Sequence, residues 1–431
     1  MPAADTATRL SEFARRGAGT NSERLAAAWL RDETESTRRE ATLETFWCRP
    51  SWALAHAWHS LLAVAGSLVI VSDAWVGGAL VLVSLLSILA DGLTGHSLGR
   101  RLTPERASQN VVSRPIPLTV DSPDGAAPVE RVRLIVTANY DAGRAGLAYR
   151  GALRRAAAGA RRLGNDGRIT PGWLGWLAIE HVWLLVVALL RDGGAAGAAI
   201  GVLQLIPTVA LVLDLALLLE LASADFGPAA SDNAAGAAVA LALVHALDAA
   251  PPRRLAVELL LQGAGDGQMI GLSRHLRGRR RELDRRNALV LGIGPCGAGR
   301  PHWWTGDGPM VPLRFHRRLG DLAAGLAADG LDAGPHRGRG SSPALPARTA
   351  GIPAIGLGCL DERELAPRSH QAGDLPEALE PAAIDALLQF ALMLVDALDA
   401  DLAQTHPAAG AGASVARVST VTATLDSPPD E

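Results

Sequence analysis

The chain has 431 residues, 48% of them hydrophobic and 20% charged, with a formal net charge of −3. That length allows one large domain or two ordinary ones with a buried core, the charge argues against a polyanion partner such as nucleic acid, and the composition leans towards a protein with part of its mass in lipid. Every basic residue is Arg, which beside so much Ala and Gly reads as compositional bias and not as a binding surface.

The N-terminal "MPAADTATRLSEFARRG" lacks the apolar core of a cleavable signal peptide, so nothing there commits the chain to secretion. Three cysteines, Cys48, Cys296 and Cys359, are widely spaced and odd in number, so they cannot all pair and form no CxxC motif. An amphipathic helix, "ERLAAAWLRDETE", covers Glu23 to Glu35. The chain is then apolar from Trp52 to Val71 and, after Ser72-Asp73, again from Ala74 to Ala90. A second pair of apolar runs spans Trp173 to Leu190 and Ala195 to Leu221, where Pro207 predicts a kink.

Each run is near the roughly 20 residues that cross about 30 Å of hydrocarbon. Two closely spaced runs, repeated twice, predict transmembrane hairpins over 52–91 and 173–221 in preference to buried helices of a soluble core. A hairpin returns the chain to the side it left, so residues 1–50, 96–168 and 224–405 are expected to form one domain in one compartment. The hairpin tips carry only Arg191, whereas the opposite flanks hold Arg49, Arg100, Arg101, Arg106, Arg144, Arg150, Arg154, Arg155, Arg161 and Arg162; the positive-inside rule puts that domain in the cytoplasm. Glu180, His181, Gln204 and Asp214 lie inside the second pair, where polar groups either satisfy one another or mark a functional site.

Outside the hairpins, "VRLIVTA" (Val132 to Ala138), "LAVELLLQG" (Leu255 to Gly263), "ALVLGIG" (Ala288 to Gly294) and "IPAIGLG" (Ile352 to Gly358) read as buried strands. "AAGAAVALALVHAL" and the long "PAAIDALLQFALMLVDALDADLA" read as helices. Apolar strands alternating with helices imply an α/β domain with a sheet covered on both faces. In such sheets sites gather at the carboxyl ends of strands, which selects "ANYDAG" (Ala138 to Gly143), "SDNAAG" (Ser231 to Gly236), "GAGDGQMIG" (Gly263 to Gly271), "GIGPCGAG" (Gly292 to Gly299) and "GCLDERELAPRSHQAGD" (Gly358 to Asp374). "GPHRGRGSSPALPARTAG" (Gly334 to Gly351) reads as a flexible loop, and residues 408–431 as a disordered tail.

These landmarks, in this order, resemble the di-zinc aminopeptidases of metallopeptidase family twenty-eight, clan MH. The matching features are the "RGAGTNSERLAAAWL" opening, "SQNVV" (Ser108 to Val112), a strand ending near Asp, an Asp-Asn helix start, a strand followed by Asp-x-x-x-x-Gly, and a Gly-Ile-Pro-Ala strand before His-x-x-x-Asp. The resemblance implies a mixed, mainly parallel sheet sandwiched by helices. It also implies a site where two zinc ions share a carboxylate and a free Glu takes a proton from the bridging water.

Carried over by position, Asp232 falls on the bridging Asp and His370 on the late His ligand. Asp266 keeps a carboxylate at another ligand position, whereas Gly265 stands where the general base should be. Asn139 replaces the first His ligand, and the expected Asp ligand meets Leu291 or Gly294, depending on register. Asp141 remains where the family orients a ligand, and Asp374 as a turn or cap after His370. The resemblance leaves one possible zinc site, Asp232, Asp266 and His370, or no metal at all. His275, four residues beyond Gly271, is expected to face along the following helix, and His302, His316 and His336 have no ligand-type spacing and read as satisfied or surface histidines.

Three functions compete on this reading. The first is a membrane-anchored, peptidase-like protein without peptidase chemistry, partnered by the bilayer and by a peptide or protein ligand. The second is a mono-zinc hydrolase acting on peptides. The third is a membrane-helix function such as transport, which requires Glu180, His181 and Asp214 to line one polar cavity.

Overall fold

The computed structural model describes residues 1–37, 39–116, 131–163 and 171–405; the tail expected over 408–431 lies outside the described residues. Among these, nine strands form one sheet: β1 (Thr42–Cys48), β2 (Arg106–Ser113), β3 (Val132–Asn139), β4 (Leu255–Gln262), β5 (Ala288–Ile293), β6 (Arg300–Asp307), β7 (Leu313–Arg314), β8 (Gly334–Arg337) and β9 (Ala354–Leu360). Their order is β1-β2-β4-β3-β5-β9-β6-β7, with β8 beside β6. β3 runs parallel to β4 and β5, and β5 parallel to β9, whereas β1, β2 and β6 join antiparallel.

The helices are α1 (Ala3–Ser11), α2 (Asn21–Glu35), α3 (Trp52–Ile70), α4 (Ala74–Thr94), α5 (Leu98–Arg101), α6 (Gly151–Leu163), α7 (Trp173–Asp192), α8 (Ala198–Ser223), α9 (Gly236–Ala249), α10 (Ile270–Gly278), α11 (Arg317–Ala328), α12 (Leu345–Thr349) and α13 (Pro381–Thr405). Alternate strand residues face opposite layers, as the two-residue strand period requires. Leu134 and Val136 of β3 pack with α1, α2, α9 and α13, while Ile135 between them packs with Leu272 and Leu276 of α10. The result is the expected mixed α/β fold with its sheet covered on both faces.

One expectation fails here. The stretch Gly334 to Gly351 is not a loop throughout, because β8 pairs in parallel with β6 and α12 packs against the sheet. Its Gly and Arg content hid a four-residue strand that exists only because β6 offers a partner. β1, β6 and β7 likewise carry no apolar run that a sequence pattern would find.

Six described helices are long and apolar enough to be candidate membrane spans: α3, α4, α7, α8, the 230–249 segment that includes α9, and 381–404 in α13. The last two bury their apolar faces in the main core. The first four pack on one another through a separate core that includes Ile70, Val81, Ile88, Leu184 and Leu211, and turn a belt of side chains outward, among them Leu68, Trp75, Leu189, Leu205 and Leu213. Close packing of α3 on α4 needs glycine: a Cβ on Gly77 would lie 2.4 Å from the Ile70 nitrogen and 2.6 Å from the Gly66 oxygen. The proline expected to kink α8, Pro207, lies inside a helix that continues from Ala198 to Ser223.

The bundle is tied to the α/β domain by hydrogen bonds at its ends. Leu174 and Gly175 at the start of α7 donate to the Pro309 carbonyl at 3.0 and 3.2 Å, supplying acceptors for helix N–H groups that would otherwise have none. At the end of α8, Glu220 accepts from the Leu147 N–H at 2.9 Å.

Candidate functional site

The selected turns converge at the carboxyl ends of β3, β4, β5 and β9, and buried side chains fix their backbones. After β3, Asp141 accepts from the Gly265 N–H at 2.9 Å and from the Asp266 N–H at 3.1 Å. Glu23 on α2 accepts from the Ala264 N–H at 3.1 Å and from the Ser108 hydroxyl at 2.6 Å. Burial pushes the Asp141 carboxyl well above its ordinary range and the Glu23 carboxyl up to about 7, against the hydrogen bonds that favour their charged forms. Asp374 does the same work for the other turn, accepting from the N–H groups of Ser231 and Asp232 at 2.9 and 3.0 Å. Burial lifts Asp374 to about 6.

Arg16 is fully buried among these turns. It donates to the carbonyls of Tyr140, Pro228 and Ala229 at 2.9, 2.7 and 2.6 Å, which locks the turn after β3 to the segment before Asp232. Desolvation lowers it to about 10, with Asp141, Asp374 and Asp232 opposing. Sequence reasoning missed Arg16 and Glu23 as site residues, although both lie in the quoted opening; nothing local distinguishes a buried Arg from its exposed neighbours.

The three candidate ligands meet. His370 Nε2 lies 3.3 Å from Asp266 Oδ1 and 3.6 Å from Asp232 Oδ2. Its ring stacks on Tyr149 with centroids 4.3 Å apart, its Nδ1 is 3.2 Å from the Arg144 carbonyl, and Ser369 donates to Asp232. Burial works against a charged imidazole, but Asp266, Asp232 and the Arg144 carbonyl outweigh it and raise the His370 pKa. Burial raises Asp266 as well, opposed by His370 and by the indole of Trp52, which hydrogen-bonds to it.

Asn139 and Gly265 are coupled. Asn139 is buried and its Oδ1 has no hydrogen-bond partner among the described residues, and a Cβ on Gly265 would lie 2.3 Å from that oxygen. A side chain at 265 therefore cannot coexist with Asn139 in this geometry. Leu291 points into the main core, while Gly294 lines the cleft and offers no ligand atom. His275 lies apart, bridging Glu258 and Glu44 at 3.0 Å each. His302 and His336 sit on neighbouring strands, hydrogen-bonded to the Arg300 carbonyl and to Glu364, and His316 precedes α11.

Zinc, which the resemblance implies, would draw on Asp232, Asp266 and His370. Among the described residues no group of three or more His, Cys, Asp or Glu is placed to hold a metal ion. The imidazole instead faces both carboxylates as an ion pair, Asn139 is a poor ligand, and Gly265 provides no base. The residues present do not fit the family's two-metal centre.

The cleft around this pair has a volume of about 350 Å³ and an aromatic wall of Trp52, Tyr149, Trp173 and Trp304. Trp52 begins α3 and Trp173 begins α7, with ring centroids 5.1 Å apart, so the ends of the apolar bundle roof the cleft. A recess of about 240 Å³ continues beside Asp266 and His370 towards Leu221 at the end of α8.

Inside the bundle, His181 Nε2 meets the Ser84 hydroxyl at 2.9 Å, whereas Glu180 hydrogen-bonds to Asp214. Glu180 and His181 thus serve separate pairings. From Ser84 a chain of buried polar contacts leads to the domain: Ser84 donates to the His59 carbonyl at 2.8 Å, His59 and His56 approach at 3.2 Å, and His56 lies 3.2 Å from Asp91. Gln268, two residues after Asp266, donates to the same Asp91 at 3.1 Å.

Comparison with known proteins agrees with this architecture. Residues 221–395 match the model of Peptidase family M28. The structure is similar to BSAP, a zinc aminopeptidase from Bacillus subtilis, in two solved structures with TM-scores of 0.51 and 0.50, each at 13% identity over 91% of this chain and 93% of that one. A glutaminyl cyclase from Porphyromonas gingivalis is also similar, at a TM-score of 0.47 and 11% identity over 91% of this chain and 96% of the other. No curated protein matches the sequence. The match over residues 221–395, within the fold described above, makes that part of the chain similar to Peptidase family M28.

Proposed function

We propose that this chain is a membrane-anchored protein of peptidase fold that binds a peptide or protein ligand at its cleft and does not hydrolyse it by the two-zinc route. The observation that carries this reading is the contact between Asn139 and Gly265: the position of a lost metal ligand fills the space that a general base at the next turn would need. His370 offsets only one of the two carboxylates it faces, Asp232 and Asp266, so the aromatic-walled cleft keeps an acidic balance suited to a cationic amine. Anchoring is supported by the outward apolar belt of α3, α4, α7 and α8.

The full chain, purified in detergent with and without added zinc, tests this by elemental analysis and by assay against aminoacyl amides. Substoichiometric zinc in both wild type and Asp232→Ala, with no hydrolysis, is the expected result. About one zinc per chain, lost in Asp232→Ala and accompanied by hydrolysis, would overturn it in favour of the mono-zinc enzyme. The transport reading gains nothing from the separate engagement of Glu180 and His181.

A further inference from the structure

Five of the arginines meet around one space. A cavity of about 610 Å³ opens where α4 ends against the α/β domain, lined by Arg49, Arg100, Arg101, Arg274 and Arg277 and by only two carboxylates, Asp91 and Glu105. Arg100 is already committed, donating to Asp91 at 2.6 and 3.3 Å and to the Arg49 carbonyl at 2.6 Å. Glu105 stands 3.9 Å from Arg49, at the outer limit of an ion pair. Arg274 and Arg277 each use one N–H on a carbonyl, that of Trp47 at 3.0 Å and that of Thr94 at 2.6 Å, out of the five a guanidinium carries. Arg101 is exposed, and its guanidinium has no acceptor among the described residues. Arg49 donates to the carbonyls of Arg101 and Thr103, so the unused donors at the cavity belong chiefly to Arg101, Arg274 and Arg277.

The level of this basic wall is fixed by Thr94, the last residue of α4, to which Arg277 is bonded. Leu93, in the same lining, is 81% exposed, and Leu98 and Leu102 beside Arg100 and Arg101 are exposed too. Guanidinium groups beside bare leucines at the end of an apolar bundle suit an amphiphile with a phosphate at its head. We propose that this cavity binds the phosphate headgroup of an anionic glycerophospholipid, a reading that rests on the membrane anchoring above. Gln268 and Met269 line the cavity too, and Met269 also lines the cleft, so an occupant touches the loop that carries Asp266.

Full-length chain in mixed micelles, titrated with phosphatidylglycerol or phosphatidylcholine and read by native mass spectrometry, tests the site. Phosphatidylglycerol is expected to bind about tenfold or more tightly, and the double variant Arg101→Ala, Arg277→Ala to lose about that preference. Arg280→Ala, outside the lining, should keep it, and thermal melting of all three proteins shows that they are folded. Equal binding of the two lipids, or a preference undiminished in the folded double variant, overturns the proposal. Glycerol 3-phosphate binding through the same arginines, without a phosphatidylglycerol preference, keeps phosphate recognition and rejects the lipid as its source. Extraction of the chain from membranes by carbonate would sink the anchoring reading separately, and glycerol 3-phosphate binding would still report on the cavity.

Discussion

Gly265, which the proposed reading sets at the general-base position, has no side chain, and the reason is local. A Cβ there would press on Asn139, itself buried and held by the end of β3. We expect Gly265→Ala to destabilise the protein by about 1–3 kcal/mol through overpacking. Combined with Asn139→Ala, the same change should be nearly free, so a double-mutant cycle in denaturant or heat should return a coupling of at least about 1 kcal/mol. Strict additivity would show that the two positions do not constrain each other.

Among the elements, the α3–α4 hairpin depends on backbone contact between glycines. Gly77→Ala brings a methyl within van der Waals overlap of the Ile70 nitrogen and the Gly66 oxygen, neither of which can move without unwinding α3. Gly201 on α8 has nothing within 4 Å of its Cβ direction, and alanine there removes a poor helix former. In detergent the first substitution should lower the melting temperature, while the second should leave it unchanged or raise it, an effect of about 0.5–1 kcal/mol. A neutral Gly77→Ala would mean that α3 and α4 do not pack as closely as described.

For the whole molecule, anchoring and sidedness make one prediction about access. The three native cysteines are free and buried, so a cysteine placed at the α7–α8 tip can be read alone. Gly194→Cys, at that open tip, should react with a membrane-impermeant maleimide on intact cells, whereas Asp329→Cys beyond α11 should react only after lysis. The reverse pattern would put the α/β domain outside, and reaction of both without lysis would exclude a bilayer between them.

The sequence determined the apolar strands β3, β4, β5 and β9, the long apolar helices and the order of the turns that follow the strands, because period and length are local properties of the chain. It also placed Asp232, Asp266 and His370 on those turns. Tertiary structure decided the rest. β1, β6, β7 and β8 have no apolar pattern of their own and form where a neighbour offers hydrogen-bonding edges. Arg16 and Glu23 become supports of the site because turns more than a hundred residues away close over them. The arginines, uninformative as a composition, acquire meaning only when α5, α10 and the link after β1 bring five of them around one cavity. Charge and burial depend on neighbours distant in the chain, and no local window of sequence contains them.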